Sequence, residues 1–344
     1  MENKMKRANL PVSKIAGIAN VSPATVSRVL NHPELVNKET KDLIEKAILD
    51  AGYDIEKVMQ KKIDQNKRIL LAVLPSIDNP FYNNIMKGFK TSANSHQFDV
   101  VMYLGNINRN NLDHFLDVVK MSNARGVICL NRKMDKEVAD SINAFIPLIQ
   151  CCEYNKEANA EYVSINDFAA AKNATEYMLN LNYRRIAFIN GPLSFNYAQE
   201  RLRGFEAAME EKGISVPKNW KISLPEVSYS LGYSAASQLL GASDKPEAIF
   251  CAADVFAISV IKAANRYGLR VPEDVGIVGF DNVEMASITN PGITTVNQPA
   301  YQIGFTAGET IYEKISNPTS KPRSILLDTE LIARESIIRN TKNN

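Results

Sequence analysis

The chain has 344 residues, of which 45% are hydrophobic and 23% charged, an ordinary composition for a globular protein of more than one domain. This length and composition exclude a small disulfide-stapled module and a chain that is disordered throughout. No run approaches the roughly 18 apolar residues of a membrane-spanning helix, and no apolar stretch follows the polar, basic start. We therefore expect a cytoplasmic protein with no membrane partner.

Positive charge is concentrated at the start of the chain. The first 30 residues hold five basic side chains and one acidic side chain, a net charge of +4, whereas all 344 residues together carry only +2. The other 314 residues therefore have a net charge of −2. A short basic segment on a near-neutral body is typical of a polyanion-binding module joined to a second function.

The basic segment contains the pattern of two short helices. Apolar residues recur at helical spacing from Val12 onward, and a break at residues 20–22 precedes a second helix that starts at Pro23. Ser22 is a good N-cap for this helix, and proline suits the first helical position because its missing amide hydrogen is not needed there. The sequence thus predicts a helix, a tight turn and a helix.

A third helix is predicted after Asn37, which serves as its N-cap, and it ends near Gly52, which suits a left-handed C-cap. Three helices in about 45 residues can close one small core, and their order predicts a helix-turn-helix module. The second helix of such a module enters the major groove, where Arg28 can donate two hydrogen bonds to guanine. We predict that the DNA-contacting residues of this region are Ser22, Pro23, Ala24, Thr25, Ser27, Arg28 and Asn31.

Residues 21–31, VSPATVSRVLN, closely resemble the signature of the lac repressor family of bacterial transcription regulators. The resemblance continues through residues 51–53 and, more loosely, along the rest of the chain, nearest the cytidine- and ribose-responsive members. It implies a repressor that binds palindromic double-stranded operator DNA as a homodimer. It also implies that a small-molecule effector modulates operator binding.

Residues 54–68 are rich in lysine and have few apolar side chains, which indicates a linker. In the family this stretch forms a hinge helix that wedges a leucine into the minor groove, and Lys62 stands at that leucine's position. Either a neighbouring apolar residue replaces the wedge or the linker is a basic tether. We predict that Lys57 and Lys62 contact DNA.

The rest of the chain alternates apolar, β-rich runs with helix-length segments, which predicts parallel sheets covered on both faces. Two similar lobes are more probable than one open sheet of this size, and ligands of such sheets bind beyond the carboxyl ends of the strands. The runs are residues 69–74, 98–104, 126–130, 147–152, 185–190, 247–251 and 275–280.

Aromatic, carboxylate and arginine side chains follow these strands, a composition that suits a sugar-like ligand. The resemblance extends to the periplasmic sugar-binding fold of the family and implies that Gln298 joins the site. Cys152, Glu153 and Ala253 depart from the ribose-binding pattern, which implies a ribonucleoside, or alternatively a hexose or disaccharide. The predicted ligand-binding residues are Asn79, Phe81, Tyr82, Glu153, Phe195, Tyr197, Arg201, Asp281 and Gln298.

The expected architecture is α/β, with a three-helix head and a body of two parallel-sheet lobes joined by three crossovers. The tail beyond Arg334 has no leucine heptads and so lacks the four-helix tetramerisation segment of the lac repressor, and the resemblance therefore implies a dimer. The expected segments are a head at 1–53, a linker at 54–68 and a body at 69–344, with lobe 1 at about 69–165 and 296–327 and lobe 2 at about 166–293 and 328–340.

An enzyme is the rival class of function, and we predict that the chain is not one. The sequence has no phosphate loop, nucleophile elbow, metalloprotease motif or dinucleotide fingerprint, and it indicates no cofactor. Asp254 and Asp281 form a candidate carboxylate pair with no nucleophile to serve. The four cysteines lie in apolar runs without zinc-module spacing, so we expect buried thiols and no metal. A solute receptor is the second rival, and the head argues against it.

Overall fold

The computed structural model describes residues 12–31, 35–53, 68–131, 133–320 and 323–341, and it describes only the backbone of Asn31. The chain divides into two compact units, residues 1–68, which hold the head and the linker, and residues 69–344, here called the body. The predicted DNA contacts Lys57 and Lys62 lie outside the described residues.

The head contains the three predicted helices, α1 (Val12–Ala19), α2 (Pro23–Asn31) and α3 (Lys38–Asp50). Each helix turns its apolar stripe inward, because helical spacing puts those residues on one face. Together they enclose one small core, made of Ile15, Ala16, Ala19, Val26, Val29, Leu30, Ile44, Ala47 and Ile48.

The predicted helix ends of the head are confirmed by hydrogen bonds and backbone angles. The Ser22 hydroxyl accepts a hydrogen bond from the Thr25 amide at 3.0 Å, and the Asn37 side chain accepts one from the Thr40 amide at 2.9 Å. Gly52 follows α3 with a φ of +81°, a left-handed conformation that favours glycine. Local side chains therefore set where these helices begin and end.

The body contains two six-stranded sheets with the same strand pattern. The first has the order β2-β1-β3-β4-β5-β11 and is parallel throughout. Its strands are β1 (Ile69–Leu74), β2 (Asp99–Leu104), β3 (Ala124–Cys129), β4 (Leu148–Cys151), β5 (Glu161–Ile165) and β11 (Ile325–Leu327). This sheet is the centre of lobe 1.

The second sheet has the order β7-β6-β8-β9-β10-β12, and only the pairing of β10 with β12 is antiparallel. Its strands are β6 (Ile186–Asn190), β7 (Lys221–Ser223), β8 (Ala248–Cys251), β9 (Gly276–Asp281), β10 (Thr294–Asn297) and β12 (Glu330–Ile332). This sheet is the centre of lobe 2. Strand β6 occupies the place of β1, and β8 that of β3, so the two lobes are structural repeats.

Helices cover both faces of each sheet, as expected for parallel strands. The helices of lobe 1 are α4 (Phe81–Ser95), α5 (Leu112–Ser122), α6 (Lys136–Phe145) and α12 (Ala300–Ser316), and those of lobe 2 are α7 (Asp167–Asn180), α8 (Asn196–Glu211), α9 (Tyr229–Leu240), α10 (Asp254–Arg266) and α11 (Glu284–Ile288). Helices α4 and α12 pack so closely that a Cβ on Gly304 would lie 1.9 Å from the Ile85 carbonyl oxygen. Within the described part of the chain, no helix is long and apolar enough to cross a membrane.

The chain passes between the lobes three times, after β5, after β10 and between β11 and β12. The predicted return to lobe 1 at about residue 296 falls two residues later, because β10 stays paired with β9 and β12 through Asn297. Strands β5, β7, β10, β11 and β12 were not among the predicted runs. Each has at most five residues, and in all but the three-residue β11 polar side chains interrupt the apolar pattern.

Three cysteines lie in central strands, as predicted, and Cys152 does not. Cys129, Cys151 and Cys251 are buried free thiols, and burial raises the pKa of Cys129 to about 12. Cys152 follows β4 with a φ of +65° and is only half-buried. The apolar run through residue 152 extends past the strand because the chain turns there toward the gap between the lobes.

Asp254 is a fully buried carboxylate that ties elements of lobe 2 together. It lies at the start of α10, accepts a hydrogen bond from the Thr295 hydroxyl at 2.6 Å and accepts another from the Val283 amide at 2.9 Å. A Cβ on Gly279 would lie 2.2 Å from its Oδ1 atom. Burial and the nearby Asp281 charge raise the pKa of Asp254 above its ordinary value.

We expect the stability of the body to fall as the pH rises above about 4, the ordinary pKa of aspartate, because Asp254 binds its proton more tightly in the folded chain than in the unfolded chain. Substitution Asp254→Asn keeps an acceptor for Val283 and removes this titration. Thermal melts at pH 5 and pH 8 check the prediction. The melting temperature of the variant relative to the wild type should rise with pH, and parallel curves contradict the assignment.

Candidate functional site

The start of α2 is the candidate DNA-binding surface of the head. Its apolar face is buried in the core, whereas Ser22, Pro23, Ala24 and Arg28 are exposed and Thr25 and Ser27 are half-buried. The Ser22 and Thr25 hydroxyls also share a hydrogen bond of 2.8 Å. The predicted contacts thus lie on one end and one face of a short helix, apart from Asn31, whose side chain lies outside the described residues.

The candidate ligand site lies between the lobes, where the carboxyl ends of both sheets meet. One cavity brings together all nine predicted ligand-binding residues, Asn79, Phe81, Tyr82, Glu153, Phe195, Tyr197, Arg201, Asp281 and Gln298. It measures about 30 Å³, the room of one or two water molecules, so the lobes are closed against each other. That these residues bind a ligand stays a prediction.

Sequence reasoning placed Cys152 and Ala253 at ligand positions without selecting them as contacts, and it did not identify the other four residues of this cavity, Leu130, Asp167, Val227 and Ala252. Asp167 matters most because it is a buried carboxylate beside Arg201. The strand before it, β5, was not predicted, so no strand end marked Asp167 for inspection. The signal available in the sequence is the Asn166-Asp167 pair directly before a helix-forming run.

Arg201 is the centre of the site, and its guanidinium is almost completely buried. It projects from α8 and donates hydrogen bonds to the Asp167 carboxylate at 2.8 Å and to the Ala252 carbonyl oxygen at 2.7 Å. Its Nη1 atom lies 3.6 Å from Oδ1 of Asp281. A buried charge needs such partners, and together they fix the guanidinium in one place.

Aromatic rings enclose the same guanidinium. Its carbon atom lies 3.5 Å from the centre of the Phe280 ring and 4.7 Å from that of Tyr197. Arginine stacks readily on aromatic faces, because its charge is delocalised over a plane and weakly hydrated. The side chain therefore contacts carboxylates at its edge and rings at its face.

Asp281 ends β9 in an unusual backbone conformation, with a φ of +112°. Its Oδ1 atom accepts a hydrogen bond from Gln298 at 2.6 Å, and Gln298 lies at the second crossover between the lobes. Burial raises the pKa of Asp281, and the Arg201 charge and the Gln298 hydrogen bond act in the opposite direction. The carboxylate is held toward the cleft with lone pairs that can accept further hydrogen bonds.

Aromatic side chains line both sides of the cleft. Phe81 and Tyr82 come from lobe 1, with ring centres 5.9 Å apart, and Phe195 and Tyr197 come from lobe 2, with ring centres 5.6 Å apart. Asn79 accepts a hydrogen bond from the Phe81 amide at 3.1 Å and so shapes the start of α4. The rings supply apolar faces next to the buried carboxylates, the combination that fits sugars.

Glu153 links the two lobes directly. It follows β4 in lobe 1, and its two carboxylate oxygens accept hydrogen bonds from the Asn196 amide at 2.7 Å and the Tyr197 amide at 2.9 Å, at the start of α8 in lobe 2. The Asn196 side chain also donates to the Tyr154 carbonyl oxygen at 2.8 Å. Residue 195 is a phenylalanine with no capping oxygen, so a carboxylate from the opposite lobe caps this helix.

We expect Glu153→Ala to destabilise the body by about 0.5 to 2 kcal/mol at pH 5, as the loss of a helix N-cap does. Burial raises the pKa of Glu153 to about 8, so the side chain is protonated and uncharged at pH 5. The loss of stability at pH 5 therefore measures the missing hydrogen bonds and not the removal of a buried charge. Urea unfolding measures the loss, and small-angle scattering should show a larger radius of gyration as the lobes separate. Glu157→Ala, an exposed neighbour, is the matched control, and equal effects of the two substitutions contradict the link.

Comparison with known proteins agrees with this arrangement. Residues 12–54 match the family of bacterial regulatory proteins called lacI, and residues 175–337 match a periplasmic binding protein-like domain. The chain is 31% identical over 341 residues to the HTH-type transcriptional repressor CytR of Escherichia coli strain K12, with 98% of each chain covered. It is 28% identical over 326 residues to the ribose operon repressor of Haemophilus influenzae, with 94% of this chain and 97% of that relative covered.

A solved structure of a complex between the transcriptional regulator CelR and cellobiose is 26% identical to this chain, with a TM-score of 0.71. The match covers 95% of this chain and 100% of that one. These relatives are transcription regulators, and two of them are repressors. The family predicted from residues 21–31 is confirmed, and the chain belongs to the lacI family of bacterial regulatory proteins.

Proposed function

We propose that this chain is a cytoplasmic, DNA-binding transcriptional repressor whose affinity for its operator changes when a small ligand binds between the lobes of the body. The observation that carries the proposal is the helix-turn-helix head, in which the start of α2 is exposed and its other face is fixed in a core. A recognition helix needs both features, because base contacts require a rigid and accessible edge. Two relatives named as repressors support repression rather than activation.

The repressor acts as a homodimer on a palindromic operator, with one head on each half-site. The edge of lobe 1 supports a second copy as partner, because β2 is an edge strand whose outward residues are apolar and exposed. Val101, Met102 and Leu104 are 43%, 56% and 54% exposed. A long apolar edge strand promotes association unless something covers it, and a two-fold partner covers it without leaving a free edge.

The effector is a small polyhydroxylated molecule, with a ribosyl compound as the first choice. Rings cover its apolar face, Asp281 accepts hydrogen bonds from its hydroxyls and Arg201 donates to an oxygen. The ribose operon repressor supports a ribosyl ligand. The CelR complex with cellobiose supports the alternative, a hexose or disaccharide.

The two rival functions fit the structure less well. A sugar-active enzyme needs a second, uncommitted carboxylate beside Asp281, but Asp254 bonds to elements of lobe 2 and does not line the cavity. The other two carboxylates of the cavity are already engaged, Asp167 with Arg201 and Glu153 with the amides at the start of α8. A solute receptor needs only the two lobes, which leaves the head without a role. We therefore propose that the cleft binds its ligand without converting it.

We expect Arg28→Ala to weaken binding to the cognate operator by about 1 to 3 kcal/mol and to relax base preference, because the bidentate contact to guanine is lost. Arg28→Lys keeps the charge and should lose specificity as well. Gel-shift titrations on operator and random DNA, at one salt concentration, measure both effects. Equal losses on the two DNAs identify Arg28 as a phosphate contact instead.

We expect Asp281→Asn to weaken effector binding about 10- to 100-fold, the usual value of a hydrogen bond to a charged group. Asparagine tolerates the positive φ of this position better than alanine, so the backbone is preserved. Operator binding without effector should stay near the wild-type value, because the DNA contacts are in the head.

Calorimetry with a pentose, a nucleoside, a hexose and a disaccharide identifies the effector class and then measures the Asp281→Asn variant. Asp244→Asn, on an exposed aspartate outside the cleft, is the matched control. Tight binding of a disaccharide with no response to any ribosyl compound selects the alternative ligand. An Asp281→Asn variant that binds the effector like the wild type contradicts the proposed contact.

A further inference from the structure

Lobe 1 contains a second cavity, at the edge of its sheet where β3, β4 and β5 begin. This cavity measures about 600 Å³, which lies within the range of small-molecule sites, whereas the closed cleft measures about 30 Å³. The ends of α6 and α12 form its other walls, and it shares no lining residue with the cleft. It is therefore a separate space in the body.

Strand β3 connects this cavity with the cleft and shows how far apart they lie. Arg125, near the start of β3, lines the cavity, and Leu130, just after the end of β3, lines the cleft. Five residues of a strand span roughly 16 Å. The neighbour of Arg125, Ala124, pairs with Ile69, the residue at which β1 begins and the linker joins the body.

Hydrogen bonds and close packing fix the walls of the cavity. The Asn143 side chain accepts a hydrogen bond from the Leu148 amide at 3.0 Å and donates one to the Asn159 carbonyl oxygen, so it holds the end of α6 against two strand starts. Helix α12 packs directly on β3 one turn before the cavity, since a Cβ on Gly126 would lie 2.6 Å from Cγ2 of Ile311. The cavity is thus a preformed feature, and the packing beside it is tight.

One side of the cavity is cationic. The Lys314 ammonium lies 2.7 Å from Oε1 of the buried Glu161, which neutralises its charge, and it donates to the Ser320 carbonyl oxygen at 2.9 Å. Arg125 is exposed, and its guanidinium forms no ion pair within the described part of the chain. The cavity therefore has one positive charge without a carboxylate partner among the described residues.

The other side of the cavity is apolar. Phe145, the last residue of α6, lines it together with Pro147 and Ile315, and 48% of Phe145 is exposed. An exposed ring gains free energy when an apolar group covers it. A guanidinium and an aromatic ring thus lie in the walls of one cavity, and together they suit a ligand that is both charged and apolar.

We propose that this cavity is a second small-molecule site, which binds an organic anion with one acidic group and an apolar body. The acidic group pairs with Arg125, because a guanidinium binds carboxylate, sulfonate and phosphate oxygens through paired N–H groups. The apolar body covers Phe145. This inference goes beyond the proposed function and does not depend on it, since the site needs neither DNA nor an effector in the cleft.

The first test is a fluorescence titration of the full chain with 8-anilinonaphthalene-1-sulfonate, an aromatic anion that emits strongly only when it is shielded from water. Arg125→Ala should weaken its binding about tenfold or more, as the loss of a charge-assisted hydrogen bond does. Ala144→Trp should weaken it as well, because Ala144 is an exposed lining residue and the larger side chain fills the cavity.

Arg109→Ala is the matched control, because Arg109 is an exposed arginine of lobe 1 outside the cavity, and this variant should bind the probe like the wild type. Equal affinity in the wild type and all three variants assigns the probe to another surface and overturns the proposal. No binding at millimolar probe concentration overturns it too.

The second test separates charge from shape and the cavity from the cleft. N-phenyl-1-naphthylamine has the same rings without the sulfonate, so Arg125→Ala should leave its affinity unchanged. An equal loss for both probes shows that Arg125 does not bind the acidic group, and it overturns the proposal. Excess D-ribose or cytidine should leave the sulfonate bound. Displacement by either compound assigns the probe to the cleft, which overturns the second site and leaves the proposed function standing.

Discussion

The buried guanidinium of Arg201 is the constraint around which the body is arranged. A charge in the interior is tolerated only with close partners, and its partners come from different parts of the chain. Asp167 lies directly after the first crossover, the Ala252 carbonyl follows β8, and Asp281 ends β9. One side chain therefore fixes the relative positions of a crossover and two strand ends at the place where a ligand would bind.

Closure of the cleft depends on a second set of contacts that crosses between the lobes. Glu153 caps α8 from the opposite lobe, and Gln298, on the second crossover, holds Asp281. Asp281 is bonded to Gln298 on the second crossover, and Arg201 is bonded to Asp167 directly after the first crossover. A ligand that changes the hydrogen bonds of Asp281 or Arg201 therefore acts on residues at the hinge. Coupling between the ligand site and the hinge needs no long pathway, because the hinge residues Asp167 and Gln298 themselves line the site.

Local features of this structure could be predicted from the sequence, and long-range partners could not. The caps at Ser22 and Asn37 follow from residue type and spacing, and the central strands follow from apolar runs. Strand β5 was missed because its five residues include glutamate and serine, and Asp167 was missed with it. Glu153 was selected as a ligand contact, but only the fold reveals that it bonds to α8. The capping of α8 from lobe 1 has no signature in the sequence.

The closed cleft constrains how an effector can act. The cavity of about 30 Å³ holds one or two waters, which is less room than a sugar ring needs. A ligand of the proposed class thus enters only when the lobes stand farther apart, and to do so it must compensate for the Glu153 hydrogen bonds that closure provides. Its influence on the operator equals its differential affinity for the two lobe arrangements. A ligand therefore shifts operator affinity only if it binds the closed and the wider arrangement with different affinities.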